Sequence, residues 1–311
     1  MNEHAVDRAR VAVLVNPSAG HGRGATSAPH VMQGLRTRGF DPIDIRGRTA
    51  DEAVEALRRS VSGADDGHAN VAGVVACGGD GTVHLALQVV VERGIPLGIV
   101  ATGSGDDNAR MMGLPRGDAG AATRIIADAL DRGTTRHVDV AHVCAADDTC
   151  RWFLGVMSAG FDSAVNERAN RMTWPKGQAK YVGAILAELR SFVPVPYVMT
   201  MDGLTVARDG MLVAVGNGSS YGGGMRVCPS ASVEDGLLSV TFLARVSKPT
   251  FLRVFPRVFR GTHVTHPAVS TYEATRIVLD GPRQIAYADG ERIGPLPCRV
   301  SVRAGGLQLL A

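Results

Sequence analysis

Five short apolar runs separated by helix-patterned segments constrain the first 140 residues more than any other feature of the chain. RVAVLV (Arg10 to Val15), FDPIDI (Phe40 to Ile45), VAGVVA (Val71 to Ala76), PLGIVA (Pro96 to Ala101) and RHVDVA (Arg136 to Ala141) read as strands. Several are apolar throughout, as strands buried on both faces of a parallel sheet are. Between them, DEAVEALRRS, TVHLALQVVVERG and DAGAATRIIADALDRG carry apolar residues at helical spacing, and a glycine stands at or beyond the end of the last two. Strand and helix in alternation predict a doubly wound α/β domain, whose ligands sit at the carboxyl ends of its strands.

From about Trp152 the texture changes. MLVAVGNG, LLSVTFLA, ATRIVLDG and CRVSVRAG are β-rich runs with turn residues between them, which predicts a mostly antiparallel second domain. The expected division is residues 1–140 and 141–311, with the C-terminal LQLLA a candidate to pack back on the first domain. Two helices are expected to interrupt the second. QAKYVGAILAELRSF sets Tyr181, Ile185 and Leu189 on one stripe, and KPTFLRVFPRVFRG sets Phe251, Val254, Phe255, Val258 and Phe259 on one face, although Pro256 works against a continuous helix there. Such stripes are ordinarily packing faces.

A chain of 311 residues has room for two cores, and its 45% hydrophobic and 20% charged residues fit a globular protein. A formal net charge of +3 is too small to point to nucleic acid, so that partner is excluded. The five cysteines, Cys77, Cys144, Cys150, Cys228 and Cys298, are odd in number and scattered, with no CxxC, and support neither a disulfide framework nor a zinc site. A reducing cytoplasm is the expected location. MNEHAVDRAR has no signal-like apolar core, and no later run approaches the roughly 20 apolar residues of a membrane span, so any membrane contact is expected to be peripheral.

Three glycine-rich corners follow expected strands: NPSAGHGRG (Asn16 to Gly24), GGDGT (Gly78 to Thr82) and GSGDDNAR (Gly103 to Arg110). Glycine lets backbone N–H groups approach a ligand, and a helix beginning just beyond adds its positive end, which suits a nucleotide phosphate chain. AGHGRG falls short of GxGxxG, and no GxxxxGK[ST] occurs. GGDGT is the most specific of the three. Thr82 is placed either to cap the following helix or to bind a phosphate oxygen, and Asp80 either to hold Mg²⁺ or to order the loop, against the simpler reading of a turn-stabilising aspartate.

VNPSAGHG, CGGDGTVH, GIVATGSGDDNARMMGLP, HVDV, MSAGFDSAV, GNGSSYGGGMRVCPSASVEDGLLSV and YADGE, in that order and nearly end to end, resemble the bacterial soluble diacylglycerol kinase and lipid kinase family, related to sphingosine and ceramide kinases. GGDGT alone is shared with NAD kinases and phosphofructokinases. The resemblance implies an NAD-kinase-like α/β domain, a β-sandwich second domain, and transfer of the γ-phosphoryl group of ATP to a lipid hydroxyl, with ATP and Mg²⁺ as cofactors. A kinase of a soluble substrate such as NAD, or a catalytically impaired nucleotide- or lipid-binding protein, are the competing readings. The partners implied are a lipid alcohol, the inner face of a membrane touched transiently, and a second copy of the chain.

Residue by residue, the resemblance places Gly78, Gly79, Asp80, Gly81, Thr82, Val83 and His84 along the ATP phosphates, with Asn16, Thr49, Gly103, Ser104 and Asp107 as further nucleotide contacts. It places Asp235 as the charged ligand of a structural Mg²⁺, with backbone oxygens from Ser232 and Leu237. Asp289 falls on the proton acceptor and Glu291 closes the same motif, while Tyr-Ala-Asp-Gly-Glu is equally good hairpin chemistry. Asp80 and Asp289 thereby match the metal and base roles that phosphoryl transfer to an alcohol requires. The chain departs from the family at Ala101, Thr102, Asp106, Asn108 and His84. Asp106 beside Asp107 adds negative charge that Mg²⁺, a proton or an arginine such as Arg110 has to offset. His84 reads as a helix-face residue. YVGAILAEL and FLRVFPRVF are the candidates for an acceptor slot and a membrane-facing rim.

Overall fold

The computed structural model describes residues 8–16, 23–63, 71–172 and 178–311. In chain order the elements are β1 (Arg10–Val15), α1 (Arg23–Thr37), β2 (Asp41–Ile45), α2 (Ala50–Ser62), β3 (Val71–Gly78), α3 (Asp80–Arg93), β4 (Leu97–Ala101), α4 (Asp107–Met112), α5 (Ala119–Arg132), β5 (Arg136–Cys144), β6 (Cys150–Phe153), β7 (Val156–Gly160), α6 (Phe161–Arg171), α7 (Gln178–Ser191), β8 (Val195–Met201), β9 (Leu204–Gly216), β10 (Leu238–Ala244), α8 (Lys248–Val254), β11 (Val269–Ala274), β12 (Arg276–Asp280), β13 (Ile285–Ala288), β14 (Glu291–Pro295) and β15 (Cys298–Leu309). They form two compact units, Met1–Val138 with Gly305–Ala311, and Asp139–Ala304.

In the first unit the parallel strands run in the order β4-β3-β1-β2. Val11, Val13 and Val15 point to one face, where α1 and α5 bury Leu35 and Ile126 against them. α2 and α3 pack together and against β1 and β3, and Ala12 and Leu14, on the alternate side of β1, are equally buried. Helices on both faces explain why these strands are apolar without alternation. Thr49 Oγ1 accepts the Glu52 N–H to start α2, Asp118 does the same for α5, and Gly63, Gly94 and Gly133 end α2, α3 and α5 in the left-handed conformation.

RHVDVA behaves differently from its expected place among the strands of the first domain. It extends to Cys144 as β5 and pairs antiparallel with β6. The strand next to β4 comes instead from the C-terminal run, with Leu309 parallel to Leu97 and Leu310 N–H donating to the Leu97 carbonyl at 2.9 Å.

The second unit orders β14-β13-β7-β9-β8-β12-β15, with β10 pairing β9 and β11. Its strand pairs are antiparallel, and Phe153, Tyr197, Met199, Val213, Val240 and Phe242 fill its core. β9 pairs with β8 up to Gly210 and with β7 from Leu212 onward. At this corner a Cβ on Gly210 would lie 2.5 Å from the Phe242 ring, so only glycine fits.

The cysteine reading is corrected: Cys144 and Cys150 form a disulfide. Antiparallel register sets them directly opposite each other across the β5–β6 turn, an adjacency that a six-residue separation hides. The Phe251 stripe is also modified. α8 ends at Val254 and a 3-10 turn follows over Phe255–Arg260, because Pro256 cannot continue an α-helix. Phe251, Val254 and Val258 are buried as expected, but Phe259 is 53% exposed and Leu252 48%. In α7, Leu189 is buried and Ile185 packs against the same cluster, while the Tyr181 side chain lies outside the described residues. Among the described residues no helix is long and apolar enough to cross a membrane.

β8 and β9 are joined by Asp202-Gly203, both left-handed at φ 46° and 95°, the signature of a two-residue hairpin turn. The Asp202 carboxylate accepts the N–H groups of Thr275 (2.7 Å) and Arg276 (2.9 Å), and the Thr275 bond is the main reason its pKa is lowered. A depressed folded-state pKa stabilises above the unfolded value of about 3.9, and that contribution disappears as pH falls through the folded value. Asp202→Asn retains a residue tolerant of the turn. Its urea midpoint is expected below wild type at neutral pH, with the two converging in acid; a gap independent of pH would exclude the charge as the cause.

Candidate active site

In the first unit the candidate residues gather where β3 ends at Gly78 and where Gly103 follows the end of its sheet neighbour β4 at Ala101. Thr102 N–H donates to the Gly78 carbonyl at 2.9 Å, and a Cβ on Gly103 would lie 2.7 Å from the Gly79 Cα. The two glycine corners therefore touch backbone to backbone. Gly78 is required for a second reason, since its Cβ would overlap Thr82 Oγ1. α3 starts at Asp80 with Gly79 as its N-cap and no side chain capping it, which presents a bare helix start of the kind that receives phosphate.

Asp80 orders the neighbouring loop. Its two carboxylate oxygens accept the N–H groups of Asp107 (3.1 Å) and Asn108 (2.9 Å), the first residues of α4. Thr82 does not cap α3. Its hydroxyl is buried and makes no hydrogen bond among the described residues. Val83 and His84 are buried on the helix, Thr49 is committed as the cap of α2, and Ser104 is exposed. Asn16 N–H donates to the Cys77 carbonyl at 3.3 Å; residues 17–22 of the first glycine corner lie outside the described residues.

The acidic departure in GSGDDNAR has a structural explanation. Asp106 is left-handed (φ 50°, ψ 42°), a conformation that Asp and Asn tolerate better than other side chains, and its Oδ1 accepts the Gly103 N–H at 2.8 Å. Buried Asp107 is ion-paired with Arg110, which also donates to the Gly105 carbonyl at 2.9 Å. Arginine thus compensates Asp107, and the Gly103 N–H is a partner of Asp106.

In the second unit Asp289 and Gly290 form the tip of the β13–β14 hairpin, left-handed at φ 53° and 85°. The hairpin reading is therefore correct, and the carboxylate does more than turn the chain. Asp289 accepts the N–H groups of Leu154 (3.0 Å) and Gly155 (2.9 Å), one to each oxygen, while its own N–H donates to the Val156 carbonyl. Glu291 is exposed two residues on.

Two residues without a place in the sequence reading join parts of the second unit. Asp139, buried on β5, accepts the Gly236 N–H at 2.7 Å and donates its own N–H to the Val233 carbonyl at 2.7 Å, fastening the PSASVEDGLL loop. Asn217, fully buried at the end of β9, donates through Nδ2 to the carbonyls of Asp139 (3.1 Å) and Leu154 (2.9 Å). HVDV and GNG contained the signal, a polar residue within an apolar run. Asp235 is exposed, with one oxygen accepting the Leu237 N–H at 3.0 Å. No three-residue cluster of His, Cys, Asp or Glu ligand atoms among the described residues includes it, so a cation there would rest on Asp235 and backbone oxygens. An all-oxygen set of that kind fits a hard cation such as Mg²⁺.

Two family models match the chain: the diacylglycerol kinase catalytic domain over residues 10–143, and the YegS C-terminal NAD kinase beta sandwich-like domain over residues 155–311. A diacylglycerol kinase of Mycobacterium tuberculosis is 39% identical over 302 residues, covering 97% of this chain and 94% of that protein. A diacylglycerol kinase structure from Bacillus anthracis superposes with a TM-score of 0.68 at 19% identity, over 97% of this chain and 96% of that one. An NAD kinase from Archaeoglobus fulgidus in complex with ATP shares the fold alone, with a TM-score of 0.54 at 12% identity over 97% and 92% of the two chains. The first unit's parallel sheet and the second unit's antiparallel strands are the architecture these matches describe, and the chain belongs to the diacylglycerol kinase and lipid kinase family of phosphotransferases with an alcohol group as acceptor.

Proposed function

We propose that this protein transfers the γ-phosphoryl group of ATP to the hydroxyl of diacylglycerol or a related lipid alcohol, with Asp289 as the proton acceptor. The observation that carries the reading is the Asp289 carboxylate, held at a hairpin tip by two adjacent backbone N–H groups. Carboxylate oxygens accept more than one hydrogen bond each, so the two bonds fix its direction and leave it able to receive a hydroxyl proton. Glu291 stands beside it on the same hairpin. On the nucleotide side, the bare start of α3 and the touching glycine corners receive the phosphates through Gly78 to His84, Gly103 and Ser104. Asp80 serves as a positioning residue that fixes α4, and Asp107 is balanced by Arg110.

Mg²⁺ would be held by Asp235 with the carbonyls of Ser232 and Leu237, and its contribution is positive charge that offsets the phosphates. The loop carrying those donors is fastened by Asp139, and Asn217 ties Asp139 to the residue that holds Asp289. Exposed Leu252 and Phe259, set among exposed Arg253, Arg257 and Arg260, suit contact with an anionic membrane surface.

Incubation with γ-labelled ATP is expected to label diacylglycerol or another lipid alcohol; label appearing in NAD and in no lipid would overturn the proposal. Asp289→Asn should lower kcat by about 10²- to 10⁴-fold with the KM for ATP near wild type, and retained turnover would remove Asp289 as the base. Asp80→Asn sets an amide against one of two N–H donors, so the KM for ATP should rise more than kcat falls. Asn217→Ala should lower kcat at temperatures well below its Tm without raising the KM for ATP. In liposome flotation with anionic vesicles, Arg253→Glu/Arg257→Glu should lose most binding; equal flotation would reject that surface.

A further inference from the structure

The β5–β6 hairpin carries a group of side chains that phosphoryl transfer does not use. His142 and Cys144 lie two apart on β5 and share a face, and Cys150 stands opposite Cys144 in register. The His142 ring nitrogen, Cys144 Sγ and Cys150 Sγ all lie within 4.8 Å of one another, with Nδ1 3.9 Å from Cys144 Sγ. All three residues are half-buried. The Trp152 ring, opposite His142 on β6, packs on the imidazole at 4.4 Å between centroids and limits its rotation.

We propose that this hairpin is a redox-gated binding site for a thiophilic divalent cation of the zinc class, with His142, Cys144 and Cys150 as ligands. In the oxidised form the sulfurs bond to each other and the site is closed. A dithiol reductant opens it: the Cys144–Cys150 bond breaks, two electrons and two protons pass to the two sulfurs, and the reductant leaves as its own disulfide. The cation then displaces both thiol protons and takes two thiolates and one neutral imidazole, a donor set suited to Zn²⁺. Partial exposure leaves water for the fourth position. The other cysteines do not compete, since Cys77, Cys228 and Cys298 are buried and burial pushes their thiols up to about 11, 12 and 12. The position gives the site a bearing on the acid, because β6 runs directly into Leu154 and Gly155, which hold Asp289.

Cobalt(II) serves as the probe, since thiolate ligation gives it a sulfur-to-metal charge-transfer band. Full-length protein reduced with a dithiol and desalted without oxygen should bind about one Co²⁺ per chain with that band, and Zn²⁺ should displace it. The band should be lost in Cys150→Ser and in oxidised wild type, and His142→Ala should weaken Co²⁺ binding at least about tenfold. Oxidised wild type keeps the comparison valid if a variant folds poorly. Absence of the band in reduced wild type, or its survival in Cys150→Ser or in the oxidised protein, would overturn the site and leave the cysteine pair a structural link.

Discussion

A carboxylate whose two oxygens accept two successive backbone N–H groups is the interaction on which the candidate residues of each unit depend. Asp80 takes the N–H groups of Asp107 and Asn108, and Asp289 takes those of Leu154 and Gly155. Such charge-assisted bonds are stronger than neutral ones and satisfy backbone donors that lack a partner in the sheet or helix ladder. The geometry also fixes the plane of the carboxylate, which a single bond would not. Asp202 repeats the device with the N–H groups of Thr275 and Arg276. Its place is an exposed hairpin turn, so the clamp is a folding device that a site can use and is not by itself a mark of catalysis.

The first unit was legible because burial on both faces writes itself into the sequence: VAGVVA and PLGIVA have no polar side, and their alternation with helix-patterned segments points to parallel strands between helix layers. α1 escaped notice for the opposite reason. Its segment RGATSAPHVMQGLRT contains Gly24 and Pro29, both poor helix formers, and tertiary packing of Ala28, Val31 and Leu35 against the sheet outweighs them. β6, β7, β13 and β14 have only four or five residues each, too few for an alternation to stand out from loop. RHVDVA shows the limit of local pattern. Its apolar residues identify a strand, but its partners, the nearby β6 and the distant β15, are not written in them.

The same limit governs the site. YADGE allows both a hairpin and an acid, and the structure makes the two compatible, because the left-handed turn aims the Asp289 carboxylate back at Leu154 and Gly155. The N–H groups that receive it lie 135 and 134 residues away in sequence, so no spacing within the motif could have revealed them. Cys144 and Cys150 are the short-range counterpart: six residues apart, yet brought together only by the register of a hairpin whose turn, Ala145 to Thr149, has no strong glycine signal. Asp106 went the other way. A substitution that reads as an electrostatic liability becomes intelligible once its left-handed backbone and its bond to Gly103 are known.

Asn217 shows why the second unit has to be read as a connected set. Its Nδ2 bonds two carbonyls, Asp139 on the strand that fastens the PSASVEDGLL loop and Leu154 in the segment that holds Asp289. Its Oδ1 is buried without a hydrogen bond among the described residues, and such an acceptor costs about 1–3 kcal/mol. A leucine of similar size would avoid that cost but would leave both carbonyls without the donor they now share. The balance favours asparagine only if the positions of Asp139 and Leu154 are worth holding together, and those are the two residues through which the proposed metal loop and the proposed base are joined to one strand.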